Sequence, residues 1–323
     1  MLKLSQLLGA GAALLLALSA GAQSTDNYPS KPIRVVVPVV AGGNLDLTTR
    51  QLMQGVASQL GQSIVVENRP GASLLLGTQY VAKAPADGYT LLAMSNTFVT
   101  APSLIADAGY DPIKDFTGVG MMSVVPLVVM VNGNSPIKSM ADLVALSKSD
   151  PSKVSYGSAG AGSSSHFAAA MLFLQMGANV LHVPYKGNAA ALIDVMGGRV
   201  TLVIDTMNTS LQHIKGGTLR ALAVTSPRRS PALPNVPTVA ESGFPGYATA
   251  AFIGISAPAG TPPAAVERFS AAMARAMTPE LREKLLADGV EMQSTTPQQF
   301  SEYIRQETAR FSKVIKEAKI TAN

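Results

Sequence analysis

The sequence contains no cysteine and no tryptophan, and only three of its 323 residues are histidine. The missing cysteine excludes disulfides, thiolate metal sites and a cysteine nucleophile together. His166, His182 and His213 show neither H-x-H nor H-E-x-x-H spacing, so the sequence offers no transition-metal site. Aromatic residues make up 5% and charged residues 14%, against 47% hydrophobic. That balance excludes intrinsic disorder, which requires low hydrophobicity and high net charge. Scarce aromatics remove stacking platforms for bases. The 25 basic residues outnumber the 20 acidic ones but never form a Lys/Arg-rich block, so nucleic acid is not an expected partner. There is no G-x-S-x-G and no G-x-x-x-x-G-K-[ST], and the stretch Gly160–Ser165 imitates G-x-G-x-x-G with serine in the last place. No catalytic residue, metal or cofactor is expected.

What is present begins at the N-terminus. Lys3, the apolar stretch from Leu7 to Leu18 and the small residues Ala20-Gly21-Ala22 form the three parts of a cleavable secretory signal peptide. The apolar stretch is shorter than the ~20 residues a membrane-spanning helix needs. Residues 1–22 are thus expected to be a leader, and the mature protein to be exported to the periplasm.

The mature chain alternates strand and helix signals. Ile33–Val37 is β-branched and stops at Pro38; Ile64-Val65-Val66 and Thr90–Met94 repeat the theme, with helical stretches between them. This β-α-β-α-β order implies parallel pairing in an α/β fold. Val124–Val131, Val154-Ser155-Tyr156, Val180–Val183, Val200–Ile204, Arg220–Val224 and Phe252–Ile255 read as further strands. Ser139 reads as a helix N-cap, and five prolines between Pro227 and Pro245 read as an ordered surface excursion. Thr261-Pro262, Thr278-Pro279 and Thr296-Pro297 each place a capping hydroxyl before a first-turn proline. Phe300, Ile304, Phe311 and Ile315 form one apolar stripe on the last helix. At 323 residues, two lobes joined by two crossover segments, near Val124–Val131 and Ala250–Ile255, is the economical arrangement. The expected partition is 23–127 with 252–323 as one lobe and 128–251 as the other, with a ligand in the central cleft.

Two loops of similar design stand between a strand and a helix: Gly42-Gly43-Asn44-Leu45-Asp46 and Gly157–Ser165. Glycines let backbone N–H groups approach a ligand, and a helix N-terminus adds positive potential, so such loops suit a carboxylate without a basic side chain. Asp46 reads either as a capping acid or as an orienter of its loop. Tyr185 could present its hydroxyl to the cleft, or Tyr185-Lys186-Gly187 could be an ordinary turn. Asp205 ends a strand at the cleft mouth, where it could take an amine, a hydroxyl or a bridging water. His166 reads as a first-turn packing residue.

Ten motifs in order then resemble one family. They are Tyr28-Pro29-Ser30-Lys31-Pro32-Ile33-Arg34, the Gly42-Gly43-x-x-Asp46 loop, Val66–Ala72, Asp87–Leu91, Tyr110-Asp111-Pro112 with Asp115-Phe116, Tyr156–Gly160, His182–Gly187, Arg220–Thr225, Pro237–Glu241 and Pro258–Pro262. The mature chain resembles the Bug-type receptors, the periplasmic solute-binding proteins of tripartite tricarboxylate transporters. That resemblance implies a two-lobe periplasmic binding protein fold, type II-like, that closes on a small carboxylic acid and delivers it to membrane permease subunits, acting as a monomer. It also implies that Gly42 and Gly43, with the loop at Gly71–Gly77 including Ala72 and Ser73, grip one carboxylate. Ser158, Gly160, Ala161, Gly162 and Ser163, with Tyr185 and Asp205, would then face the variable end. Three positions depart from the family's usual pattern: Val39 in place of Phe, Ser73-Leu74 in place of Gly-Gly, and Phe252 in place of Trp. They are expected to turn the pocket toward an apolar or aromatic acid and away from citrate-like ligands.

Two other uses of the fold remain open in the sequence. One is a sensory partner of a membrane kinase, which would employ the same liganded form. The other is a hydrolase built on Ser163 or Ser164 with His166, for which no acid partner is evident.

Overall fold

The computed structural model describes residues 27–71, 74–185, 187–318 and 320–321. The expected leader, Ala72, Ser73 and Lys186 lie outside these. Among the described residues no helix is long and apolar enough to cross a membrane.

The alternation read from the sequence opens the fold: β1 (Ile33–Val37), α1 (Asn44–Leu60), β2 (Ile64–Asn68), α2 (Leu75–Ala82), β3 (Thr90–Met94) and α3 (Asn96–Leu104). β1 pairs in parallel with β2 and with β3. Ile33, Val35, Val36 and Val37 are fully buried, as a strand covered by helices on both faces requires. The middle of the chain supplies β4 (Phe116–Asn132), α4 (Met140–Ser149), β5 (Ser155–Ser158), α5 (Ser164–Met176), β6 (Leu181–Pro184), α6 (Asn188–Met196), β7 (Leu202–Thr206), α7 (Met207–Lys215) and β8 (Leu219–Val224). The last third adds β9 (Ala250–Pro258), α8 (Pro263–Ala276), α9 (Pro279–Ala287), β10 (Glu291–Met292) and α10 (Pro297–Glu317).

The strands follow the order β2-β1-β3-β9-β4-β7-β5-β6, with β8 and β10 also on β4. β4 is much longer than the expected Val124–Val131 segment. Its stretch from Phe116 to Pro126 pairs antiparallel with β9, and from Leu127 onward it pairs with β7 and β8. One strand therefore runs through both halves of the sheet. The chain returns from the second half between β8 and β9, where Thr225 ties the two passages together. Its N–H donates to the Leu127 carbonyl (2.8 Å) and its carbonyl accepts from the Thr249 amide (3.0 Å). Its hydroxyl accepts from the Leu127 amide (2.9 Å) and donates to the Thr249 carbonyl (2.7 Å).

The last helix buries its stripe as expected. Phe300, Ile304, Phe311 and Ile315 join a cluster with Val36, Met94, Phe98, Phe116 and Phe252. Phe300 lies so close to β9 that a Cβ on Gly254 would fall 2.1 Å from its ring, so a side chain at 254 has no room. Phe311 also meets Phe167 of α5, ring centroids 4.7 Å apart, which seats α10 against the second half. Thr278 and Thr296 cap their helices, the latter in a reciprocal box with Gln299. Thr261 does not. Its hydroxyl donates to the Pro258 carbonyl at the end of β9 (2.8 Å), and the helix starts at Pro263. The proline-rich excursion is anchored rather than merely superficial: Val239 and Tyr247 are buried, and the Tyr247 hydroxyl donates to the Ala168 carbonyl (2.7 Å).

The Thr225 clamp is directly testable. Thr225→Val keeps shape but leaves the buried Leu127 N–H and Thr249 C=O without their partner, a loss of about 1–3 kcal/mol. Urea unfolding should show a lower midpoint with an unchanged m-value; an unchanged midpoint would show that the hydroxyl bonds contribute nothing.

Candidate functional site

Three strand ends, those of β1, β5 and β7, bring their following segments to one junction between the sheet halves. This is the position at which α/β folds collect ligands. Direct bonds cross it. The Asn208 side-chain amide on α7 donates to Asn44 Oδ1 at the start of α1 (2.6 Å), and the Thr100 hydroxyl on α3 donates to the Gly162 carbonyl (2.9 Å).

On the first side, Asp46 is 2% exposed and its carboxylate turns back on its own loop. One oxygen accepts from the Gly42 amide (2.9 Å), and the other from Arg50 Nε and Asn68 Nδ2 (2.9 Å each). Asn68 also donates to the Val39 carbonyl (3.0 Å). Burial alone would raise the Asp46 pKa, but these donors outweigh it and hold the carboxyl below its ordinary value. Between the two sequence readings, the geometry favours the orienter: the helix has no side-chain cap, and Asp46 fixes Gly42. Gly42 takes φ +90°, which a residue with a Cβ rarely adopts. The amides of Gly43 and Asn44 precede the first intrahelical bond of α1, from the Leu47 N–H to the Gly43 carbonyl, and no described group accepts from them. With Arg50 already paired, the positive potential here belongs to backbone N–H groups at a helix start.

Beside it, Leu74 takes φ +75°, a left-handed conformation that costs a leucine roughly 1–2 kcal/mol. Leu75 turns away into a small cluster with Ala101 and Ala108. Leu76, with Val40 and Leu47, leaves an apolar side chain half-exposed or more. Of the other departures, Phe252 is fully buried against Phe300 and Tyr303, so it acts in the core and not on the cleft. Val39 packs on the main core.

The second side differs from what its glycines suggest. The Ala159 amide donates to Ser165 Oγ (3.0 Å), Gly160 to Ser158 Oγ (3.1 Å), Gly162 to His166 Nδ1 (3.3 Å) and Ser163 to the Gly160 carbonyl (3.2 Å). These four amides are spent within the protein, so the glycines of this loop do not form an open cradle; the Ala161, Ser164 and Ser165 amides have no described acceptor. Ser163 caps α5 and donates to the Gly160 carbonyl (2.7 Å). Ser158 is fully buried. The Tyr185 hydroxyl does not point its proton into the cleft. It donates to Asp194 (2.6 Å), itself paired with Arg199, and burial together with Asp194 pushes its pKa up to about 12.

Asp205 closes the floor. It is fully buried, and desolvation pushes its pKa up to about 6 despite the bonds it accepts. The donors are Thr209 Oγ1 (2.8 Å), the Thr206 amide (2.6 Å) and the Asn188 side chain. Asn188 Oδ1 in turn accepts from Ser165 (3.2 Å), linking α5, α6 and β7. Next to this network, Asn208 Oδ1 is buried with no partner among the described residues. Asn44, Asn188, Asn208 and Thr209 carry no motif, and only their place after the strand ends marks them.

The serine–histidine chemistry considered in the sequence also takes a different form. His166 bonds Gly162 through Nδ1, while His182 Nε2 lies 2.6 Å from Ser158 Oγ. That is nucleophile–base distance, yet no described carboxylate bonds His182, so the pair lacks an orienting acid. Two cavities lie away from the junction. One of about 580 Å³ is lined by His166, His182, Tyr156 and the C-terminal segment, and one of about 710 Å³ by Arg228, Arg229, Arg282 and Tyr303.

Comparison with known proteins agrees with this architecture. A profile of the tripartite tricarboxylate transporter family receptor matches residues 48–320. Protein BugT of Bordetella pertussis is 36% identical over 297 residues, 91% of either chain. Among solved structures, the periplasmic binding protein BugD superposes with a TM-score of 0.81 at 35% identity, covering 91% of this chain and 99% of that one. An R. palustris protein crystallised with adipate gives 0.84 at 35%, covering 91% and 99%. MatC of Rhodopseudomonas palustris, with bound malate, gives 0.80 at 29%, covering 89% and 100%.

Asp46→Asn should destabilise the protein by about 1–3 kcal/mol at pH 7, because an ionised acceptor of three donors is lost. The folded carboxyl titrates below its unfolded value, so its contribution is present above about pH 4 and disappears as the pH falls further. Denaturation curves of the two proteins should therefore converge below pH 4; a constant gap would contradict the ionised role.

Proposed function

The chain belongs to the tripartite tricarboxylate transporter receptor family, and from that premise we propose that its cleft binds one small organic acid with an apolar body and a neutral, hydrogen-bond-donating far end. It is a receptor for carboxylates whose relatives are binding proteins. The observation that carries the finer reading is the asymmetry of the junction. Among the described residues the Gly43 and Asn44 amides have no acceptor at their helix start, whereas the opposite side adds buried acceptors: Asp205, and Asn208 Oδ1, which has no described partner. A carboxylate on Gly43 and Asn44 satisfies the first side without a basic side chain. A hydroxyl on the far end satisfies the second, where a further anion would meet Asp205. Leu76 and Val40 favour an apolar middle. Hydroxybenzoate-like acids have this shape, and citrate-like acids do not.

Two lobes dividing near Leu127 and Ala251 fit this use, since among the described residues β4 and the Thr225 region join the sheet halves. We infer that a monomer exported by its leader delivers the acid to membrane permease subunits. The transport reading stands on family membership, and loss of growth or uptake on the acid after deletion of the gene tests it against a purely sensory role.

Thermal unfolding of the mature protein with 4-hydroxybenzoate, benzoate, adipate, malate and citrate tests the ligand class. A ligand at ~1,000 times its Kd adds roughly 4 kcal/mol, several degrees in Tm. The hydroxylated aromatic acid should give the largest shift. Citrate binding tenfold more tightly than 4-hydroxybenzoate would overturn the proposed shape. No shift with any acid, and none released on denaturation by mass spectrometry, would overturn the acid reading itself.

Asp205 sets a pH signature. Above about pH 6 it is ionised and accepts; below, it is protonated and can donate. Affinity for 4-hydroxybenzoate should rise from pH 5 to pH 7, and affinity for adipate, with its second carboxylate, should fall over the same range. Parallel profiles for both would remove Asp205 from the binding site.

A further inference from the structure

Behind the second loop, two histidine rings stack face to face with centroids 4.0 Å apart and planes 17° from parallel. Tyr156 stacks on His182 in turn, at 4.8 Å and 16°. His166 is buried and His182 half-buried, and both line the 580 Å³ cavity on the side of α5 and β6. The packing is ordinary; the proton bookkeeping at the ring edges is not.

The Gly162 amide donates to His166 Nδ1, so that nitrogen carries no proton, and the neutral ring bears its proton on Nε2. His182 is the reverse. Ser158 Oγ already accepts from the Gly160 amide, and its one proton has two possible acceptors: His182 Nε2 at 2.6 Å and the Gly160 carbonyl at 3.4 Å. The shorter bond takes it, so His182 Nε2 accepts and Nδ1 bears the proton. Burial keeps both rings neutral, with His182 at about 4 and His166, depressed further by its neighbour, at about 3.

We propose that His166 and His182, held as a stacked pair in opposite tautomers, are positioning residues that fix the second ligand loop by withdrawing the Gly160 and Gly162 amides from the cleft. The Gly162 amide donates directly to the His166 ring; the Gly160 amide donates to Ser158, whose own proton goes to His182. The two glycines take φ +112° and +79°, conformations that a residue with a side chain resists, so the loop depends on these acceptors and on glycine together. With the amides turned inward, the Gly160 carbonyl receives Ser163 and the Gly162 carbonyl receives Thr100 from across the junction. The absence of free Gly160 and Gly162 donors on the far side therefore originates in the histidine pair. This inference rests on the receptor reading above for its functional meaning, though not for its test.

The two nitrogens can be imitated separately. Asparagine places its oxygen near the position of Nδ1, and glutamine near that of Nε2. His166→Asn and His182→Gln should retain the loop, whereas His166→Gln and His182→Asn should release it. In protein without ligand, hydrogen exchange of the Gly160 and Gly162 amides should accelerate about five- to tenfold in the second pair, as loss of one hydrogen bond implies, and stay near wild type in the first. Ring ¹⁵N spectra of the wild type should show His166 with its proton on Nε2 and His182 with its proton on Nδ1. Equal exchange for asparagine and glutamine at both positions, or one shared tautomer, would overturn the proposal, and the ring spectra decide it even if a variant fails to fold. Affinity for 4-hydroxybenzoate should follow the same order. If wild type does not bind that acid at all, the ligand reading fails while the exchange pattern still judges the loop.

Discussion

Thr225 makes four hydrogen bonds, two through its backbone and two through its hydroxyl, and they join the two places where, among the described residues, the chain passes from one half of the sheet to the other beside β4. β4 alone would leave the halves free to twist about a single line. The Thr225 bonds to Leu127 and Thr249 lay a second passage beside the first and hold both in register. Any rotation of one half against the other would have to bend these two adjacent backbones together. The clamp is fully buried, so its bonds do not compete with water.

From that geometry follows a division of labour between two loops that look alike in sequence. The first spends a buried carboxylate, Asp46, on keeping one amide in place, and the following ones have no acceptor among the described residues. The second spends its Ala159, Gly160, Gly162 and Ser163 amides on Ser165, Ser158, His166 and its own carbonyl. A glycine-rich strand-to-helix turn is therefore a scaffold whose polarity depends on what stands behind it. Behind the first is an Asp-Arg-Asn network; behind the second is a pair of neutral imidazoles.

Much of the fold was legible because it rests on local rules. The β-branched run at Ile33–Val37, the Thr296 box with Gln299 and the stripe from Phe300 to Ile315 each declare themselves within a few residues. The errors mark places where a distant group won. Thr261 had the right neighbour for a cap, but the Pro258 carbonyl took its proton. The Phe116–Ser123 half of β4 is rich in glycine and methionine and carries no strand signal, and it becomes a strand because β9 lies beside it. At the site, Gly42, Gly43 and Asp205 could be found from their place after strands. The commitment of the Tyr185 hydroxyl to Asp194, the Ser158–His182 bond and the Asn44–Asn208 bridge could not, since each joins residues whose spacing obeys no local pattern. Phe252 is a further case: a substitution near a crossover suggested a changed pocket, yet its ring lies wholly within the core.

The bridge between Asn44 and Asn208 joins two uncharged amides. An ion pair in the same place would weaken with rising salt and with protonation of its acid. An amide pair has neither sensitivity, so this bridge between the two halves keeps its strength as the ionic strength of the surrounding medium changes.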